Sequence, residues 1–232
     1  MTFDEIQALL DSADTEAQAR ADALRTNRSP TRQARYLAAL RDRALVRLLA
    51  DLGLRVGEGL ALDIESLSYN RGHRTVRYLG KGNKQRERAV SPHAVEAVDD
   101  YLAARARAWG VPLEQLGGPL FATTSRDGGT GRLDEPATFR LIRRLAHHAG
   151  LPAAHRLSPH SLRHAFATNA RELGIALEDV QDAMGHADAR TTRRYDRGRH
   201  ALHREPGLRL GARYADRRPA TASGGGEASA PI

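Results

Sequence analysis

Apolar residues recur at helical spacing along most of the chain. In "RDRALVRLLADLG", Leu45, Leu48, Leu49 and Leu52 fall on one face, and Gly53 supplies a stop. "DEIQALLDS" reads as the start of a short amphipathic helix, and "TEAQARADALRTNRSPTRQARYLAAL" as Ala/Arg-rich helix broken by a loop at Asn27–Pro30. Ser91-Pro92 opens a helix with a Val95, Val98, Leu102 stripe. Phe139, Ile142 and Leu145 mark another, ended by Gly150. Ser158-Pro159 caps a third, with Leu162, Phe166 and Leu173 facing inward and Gly174 as its stop, and "LEDVQDAMG" and "DARTTRRYD" close the helical series. The period changes in "RTVRYLGKGNKQRERAV", where Val76 and Tyr78 alternate with polar residues around a Gly-Asn turn. That pattern predicts a β-hairpin tip. "PLEQLGGPLFATTSRDGGTGRLDEP" is a long loop punctuated by Gly and Pro. The expected fold class is mainly α with a small antiparallel β-sheet.

The 232 residues suffice for one or two domains with a real core, and 41% hydrophobic with 28% charged residues is ordinary for a globular protein. The start "MTFDEIQALLDS" carries acidic residues and no apolar centre, so no secretory signal is expected there. No apolar run reaches the ~20 residues that span a bilayer. Cysteine is absent, which excludes disulfides and thiolate chemistry and suits a reducing cytoplasm. From about Ala215, "ADRRPATASGGGEASAPI" lacks the means to bury a core and is expected to be disordered.

Charge changes the picture. The net charge of +8 points toward a polyanion. Of 36 basic residues only Lys81 and Lys84 are lysines, leaving 34 arginines. Two lysines in one turn, "GKGNK", ask for a chemical reason. The turn is no P-loop, because Thr75 stands where the first glycine belongs and Gly82 follows Lys81. His160 and His164 have the i, i+4 spacing of a zinc pair, but Ser161 replaces the glutamate of the metalloprotease motif. No nucleophile elbow or two-metal carboxylate pair stands out, and neither cofactor nor metal is expected.

What remains is Arg55 in "GLRVGE", Lys81 in "GKGNKQRER", His160 and Arg163 in "LSPHSLRHAFAT", then His186 and Tyr195 in "MGHADARTTRRY". Singly each has an ordinary explanation: two arginines among many, a histidine at a helix end, a tyrosine at a core edge. In this order and spacing the set resembles the tyrosine recombinase (phage integrase) family over about residues 1–205. The resemblance implies the DNA breaking-rejoining catalytic fold over residues 1–212, with 213–232 as a tail. The family's usual N-terminal core-binding domain is expected to be missing, because the catalytic pattern begins near Met1.

It also implies a site-specific recombinase or integrase whose tyrosine, here Tyr195, attacks a DNA phosphodiester to form a 3′-phosphotyrosyl link. Arg55 and Arg163 suit the non-bridging oxygens, since guanidinium forks bind them bidentately and stay charged. His186 adds a donor, and His160 bonds the same phosphate or helps take the tyrosine proton. The leaving 5′-oxygen needs an acid, and lysine is tunable where arginine is not, which gives Lys81 its reason. Glu58 orients the site. Lys84, Arg86, Arg88, Arg193, Arg194 and Arg197 are expected on a face that contacts DNA phosphates. Gly59, in place of a bulky apolar residue, predicts looser packing near Arg55.

The implied partner is double-stranded DNA, with a homo-oligomer (tetramer) forming only on DNA and an accessory protein or a separate DNA-binding domain assisting. The implied place is the cytoplasm, at the nucleoid of a prokaryote or its mobile element. Two other readings stay open: a recombinase-derived DNA-binding regulator without strand exchange, and a type IB topoisomerase-like activity.

Overall fold

Helix α1 (Phe3–Thr26) runs unbroken for 24 residues in the computed structural model, which describes residues 1–80, 82–124 and 131–185. The expected short helix and the Ala/Arg-rich stretch after it are therefore one element. Ala13 and Ala17 continue the buried face of Leu9 and Leu10, so small residues carry the stripe where the large ones stop. A capping box starts it: Glu5 N donates to Thr2 Oγ1 (3.2 Å), and Thr2 N donates to the Glu5 carboxylate (2.8 Å).

Helix α2 (Pro30–Leu52) follows a three-residue break, with Ser29 as N-cap and Pro30 in the first turn. It is the central helix. Leu45, Val46 and Leu48 have no exposed surface, and it packs against α1, α4 (Pro92–Trp109) and α6 (Pro159–Glu172). Its one charged cluster inside is paired: Arg41 holds Asp42 (2.6 Å) and donates to the Ala122 carbonyl (3.1 Å), and Arg144 reaches the other Asp42 oxygen (2.9 Å). Gly53 ends the helix at φ 59°, ψ 30°, the left-handed conformation of a glycine stop.

After the short helix α3 (Val56–Leu60), three antiparallel strands, β1 (Leu67–Asn70), β2 (His73–Gly80) and β3 (Lys84–Ala89), form a sheet in that order. The β2–β3 hairpin matches the sequence expectation. Strand β1 is additional; it joins β2 through Arg71 and Gly72, both at positive φ as a two-residue hairpin turn requires. Val76 and Tyr78 face the core, and the register sets Arg88 opposite Val76 and Arg86 opposite Tyr78. Cross-strand partners share a face, so both arginines lie on the inner side of the sheet.

Helices α4, α5 (Glu135–His148), α6 and α7 (Leu177–Met184) complete the described fold. Three expected core positions shift. In α4 the buried stripe is Ala94, Ala97, Val98, Tyr101 and Leu102, with Val95 only half-buried. In α5, Phe139 is half-buried beside buried Thr138 and Ile142. Leu173, expected inside, is 67% exposed: α6 ends one residue earlier, and the residue lies past the helix's packed face. Lys81, His186, Arg193, Arg194, Tyr195, Arg197, the helix expected around "DARTTRRYD" and the boundary at 212 lie outside the described residues.

Candidate active site

Arg55, Glu58 and Arg163 come together at the junction of α2 and α3 with α6. Arg55 is the N-cap residue of α3, and Glu58 sits at its third position. The Glu58 carboxylate turns back on its own helix start, accepting from Arg55 N (2.8 Å) and from the Arg55 guanidinium (2.7 Å). Its second oxygen lies 4.0 Å from Nη1 of Arg163. One carboxylate thus bonds the Arg55 guanidinium and stands within 4.0 Å of the Arg163 guanidinium. Arg55 keeps 38% of its side chain exposed and Arg163 only 6%, so one arginine is open to a ligand and the other is built into the wall.

The wall is specific. Arg163 Nη1 donates to the Gly53 carbonyl and Nη2 to the Met184 carbonyl, each at 2.5 Å. The carbonyls that a helix leaves unpaired at its end are thereby satisfied. Gly53 was legible in the sequence as a helix stop; its second task, accepting from Arg163, was not. A Cβ there would sit 2.5 Å from Cδ1 of Phe166. Gly53→Ala is therefore expected to destabilise the protein by at least the ~1–2 kcal/mol of a left-handed alanine, with a lowered melting temperature as the readout. An unchanged melt would show that the backbone relaxes freely at this point.

Gly59 does not loosen the packing, contrary to the sequence expectation. It is buried, and a Cβ would meet Leu49 Cδ2 at 3.0 Å, so the α2 leucine occupies the space a side chain would need.

His160 lies one turn before Arg163 on α6, and its side chain is exposed. Its Nε2 shares a hydrogen bond with Nε2 of His164 (2.6 Å), the rings meeting edge to face. Among the described residues no group of three or more His, Cys, Asp or Glu gathers into a metal-holding cluster. Lys84 is exposed at the start of β3. Arg86 and Arg88, expected on a phosphate-facing surface, are half-buried and donate from Nη1 to the carbonyls of Asp182 (2.8 Å) and Ala183 (2.5 Å). The Arg88 guanidinium also lies over the Phe166 ring at 5.9 Å.

Residues 1–201 match the phage integrase family. The chain belongs to that family. Among its relatives, the tyrosine recombinase XerD of Mycobacterium leprae is 36% identical over 197 residues, covering 84% of this chain and 55% of the relative. The tyrosine recombinase XerC of Rhodospirillum centenum is 43% identical over 159 residues, covering 67% of this chain and 42% of the relative. This integrase-family chain thus spans about half the length of the curated relatives it matches.

Solved structures agree on the fold. XerH, a site-specific recombinase bound to a palindromic difH substrate, aligns with a TM-score of 0.66 at 24% identity, over 93% of this chain and 53% of that one. XerA recombinase aligns with a TM-score of 0.59 at 25% identity, over 95% and 63%. Among the described residues of this family member, no helix is long and apolar enough to cross a membrane.

Proposed function

We propose that this protein cuts and rejoins double-stranded DNA through a covalent tyrosyl phosphodiester, with Tyr195 as nucleophile. The observation that carries the reading is the carboxylate of Glu58 set between Arg55 and Arg163, with His160 one turn away. Attack on a phosphodiester builds negative charge on the non-bridging oxygens. Guanidiniums held in place beforehand answer that charge without reorganising when it develops, which is worth ~3–4 kcal/mol for a single well-placed donor. Glu58 holds Arg55 ready while leaving part of its fork open to solvent.

The other parts follow from chemistry. His160 bonds the phosphate or receives the tyrosine proton, and His186 adds a donor. Lys81 gives a proton to the departing 5′-oxygen. The balance is closed: the Tyr195 oxygen gains the phosphorus and loses its proton, and the 5′-oxygen loses the phosphorus and gains one. A 5′-hydroxyl from another strand reverses the step. The names of the relatives, tyrosine recombinases all, support the same reaction class. Assembly into a tetramer on DNA, help from an accessory protein or a further DNA-binding domain, and a nucleoid location belong to this reading.

A nicked duplex that releases a short strand on cleavage tests it, because the released strand cannot return and the covalent complex accumulates. A protein–DNA adduct that survives denaturant supports the reading; binding without any adduct supports a regulator instead. Relaxation of supercoils without exchange between two sites would indicate the topoisomerase-like alternative.

Lys81→Ala is expected to slow cleavage by the ~10²–10⁴-fold typical of a lost general acid. A substrate with sulfur at the leaving position needs no proton and should recover most of that rate. Failure of the sulfur substrate to recover it would make Lys81 a phosphate-positioning group only.

A further inference from the structure

The last turn of α7 is held by three guanidiniums. A helix leaves its final carbonyls without intrahelical partners, and basic side chains are favourable there. In this fold three consecutive carbonyls, of Asp182, Ala183 and Met184, each accept from a different guanidinium: Arg86 (2.8 Å), Arg88 (2.5 Å) and Arg163 (2.5 Å). Two come from β3 and one from α6. The sheet register explains how they arrive, since Arg86 and Arg88 lie on its inner face, whereas Glu87 between them turns outward to Thr75 and Asn70.

Arg86 is also enclosed by two glycines. A Cβ on Gly80 would lie 2.9 Å from its Cδ and Nε, and a Cβ on Gly185 would lie 3.1 Å from its Cζ. The side chain therefore runs directly over both backbones. Gly80 immediately precedes Lys81, and Gly185 immediately precedes His186. The stem and the head of one arginine touch the two points from which the chain departs toward two groups of the proposed chemistry.

We propose that Arg86 and Arg88 are positioning residues, forming a strut that fixes the Gly80 end of β2 and the Gly185 end of α7 in register with Arg163. The proposal rests on the reaction proposed above only for its effect on rate; the strut itself is a property of the fold. It assigns both arginines a task other than neutralising DNA phosphates.

The two roles separate experimentally in the full chain. For R86Q and R88Q the strut predicts a ten- to hundredfold slower single-turnover cleavage of the nicked duplex, in line with the effect of small misplacements in a reacting site. DNA affinity and its salt dependence should stay as in the parent, and amide exchange across residues 177–185 should quicken. R86K and R88K should recover part of the rate, since an ammonium still reaches one carbonyl. Gly80→Ala, which leaves every charge in place but intrudes on the Arg86 stem, should act like R86Q, and the double variant should be little worse than either single one.

Weakened DNA binding with a salt slope shallower by about 1 per arginine, and no change in α7 exchange, would overturn the proposal and mark phosphate contacts. If the parent chain forms no adduct, the proposed reaction fails, and the exchange measurement alone decides the strut: unchanged protection of α7 in R86Q and R88Q overturns it. If R88Q melts below the assay temperature, Gly80→Ala and R86Q carry the test.

Discussion

Tyr195→Phe is expected to leave no covalent protein–DNA adduct while DNA affinity stays within about twofold of the parent. The substitution keeps the aromatic ring and its surface and removes one oxygen, the atom that would join phosphorus. A nucleophile is all or none in this respect: in the proposed reaction the phosphate oxygens would still meet Arg55 and Arg163, but nothing would displace the 5′-oxygen. The measurement is a denaturing gel of protein incubated with nicked duplex, paired with an equilibrium binding titration. Adduct in the phenylalanine variant would move the nucleophile elsewhere, and Tyr214, downstream in the same basic region, would be next to change.

Arg163→Ala should be the most damaging substitution to the fold as well as to the chemistry. The guanidinium is the partner of two carbonyls from different helices and lies near Glu58 in a nearly closed site. Removing one member of such a buried charged network leaves the others unpaired, at a cost of ~3–5 kcal/mol. For a chain of this length each kcal/mol moves the melting temperature by ~2–4 °C, so a fall of roughly 6–20 °C is expected.

Arg55→Ala provides the contrast. Its ion pair with Glu58 is more than one-third exposed on the arginine side, and such pairs contribute no more than ~1 kcal/mol. Its loss should abolish cleavage with little change in melting. Equal destabilisation by the two alanine variants would mean that the burial difference between the arginines carries no energetic weight.

Legibility in the sequence followed the size of the side chains. The leucine stripe of α2 and the serine and proline helix starts at residues 91 and 158 were readable, because large apolar residues and caps have local signatures. Helix α1 was read as broken because its buried face passes from leucine to alanine, which periodicity of large residues does not register. Strand β1 has four residues, half of them exposed, and draws its hydrogen bonds from β2 rather than from any pattern of its own. Leu173 had the right spacing for the core but lies just beyond the end of its helix.

At the site, the motif order alone singled out Arg55, Glu58, His160 and Arg163 as candidates, and no spacing rule could have shown that Arg55 and Glu58 lie beside Arg163. The engagement of Arg86 and Arg88 with α7 was hidden for a different reason. Their partners are backbone carbonyls, which every residue has, so the sequence around Asp182 and Ala183 gives no sign of them.

The bonds that assemble the site are among the most distant between the described residues: Arg163 reaches back 110 positions to Gly53, and Arg86 and Arg88 reach forward 96 and 95 to α7. Helices α1 and α2, by contrast, are neighbours in sequence and pack on one another directly. Contacts that close long loops form late, and a chain leaving the ribosome folds its N-terminal part first. A half-made protein ending before α6 therefore has Arg55 and Glu58 in its sequence but not Arg163. If the proposed reaction holds, the capacity to meet a phosphate from two sides arrives only with the last third of translation, so a prematurely terminated product would lack half of that grip.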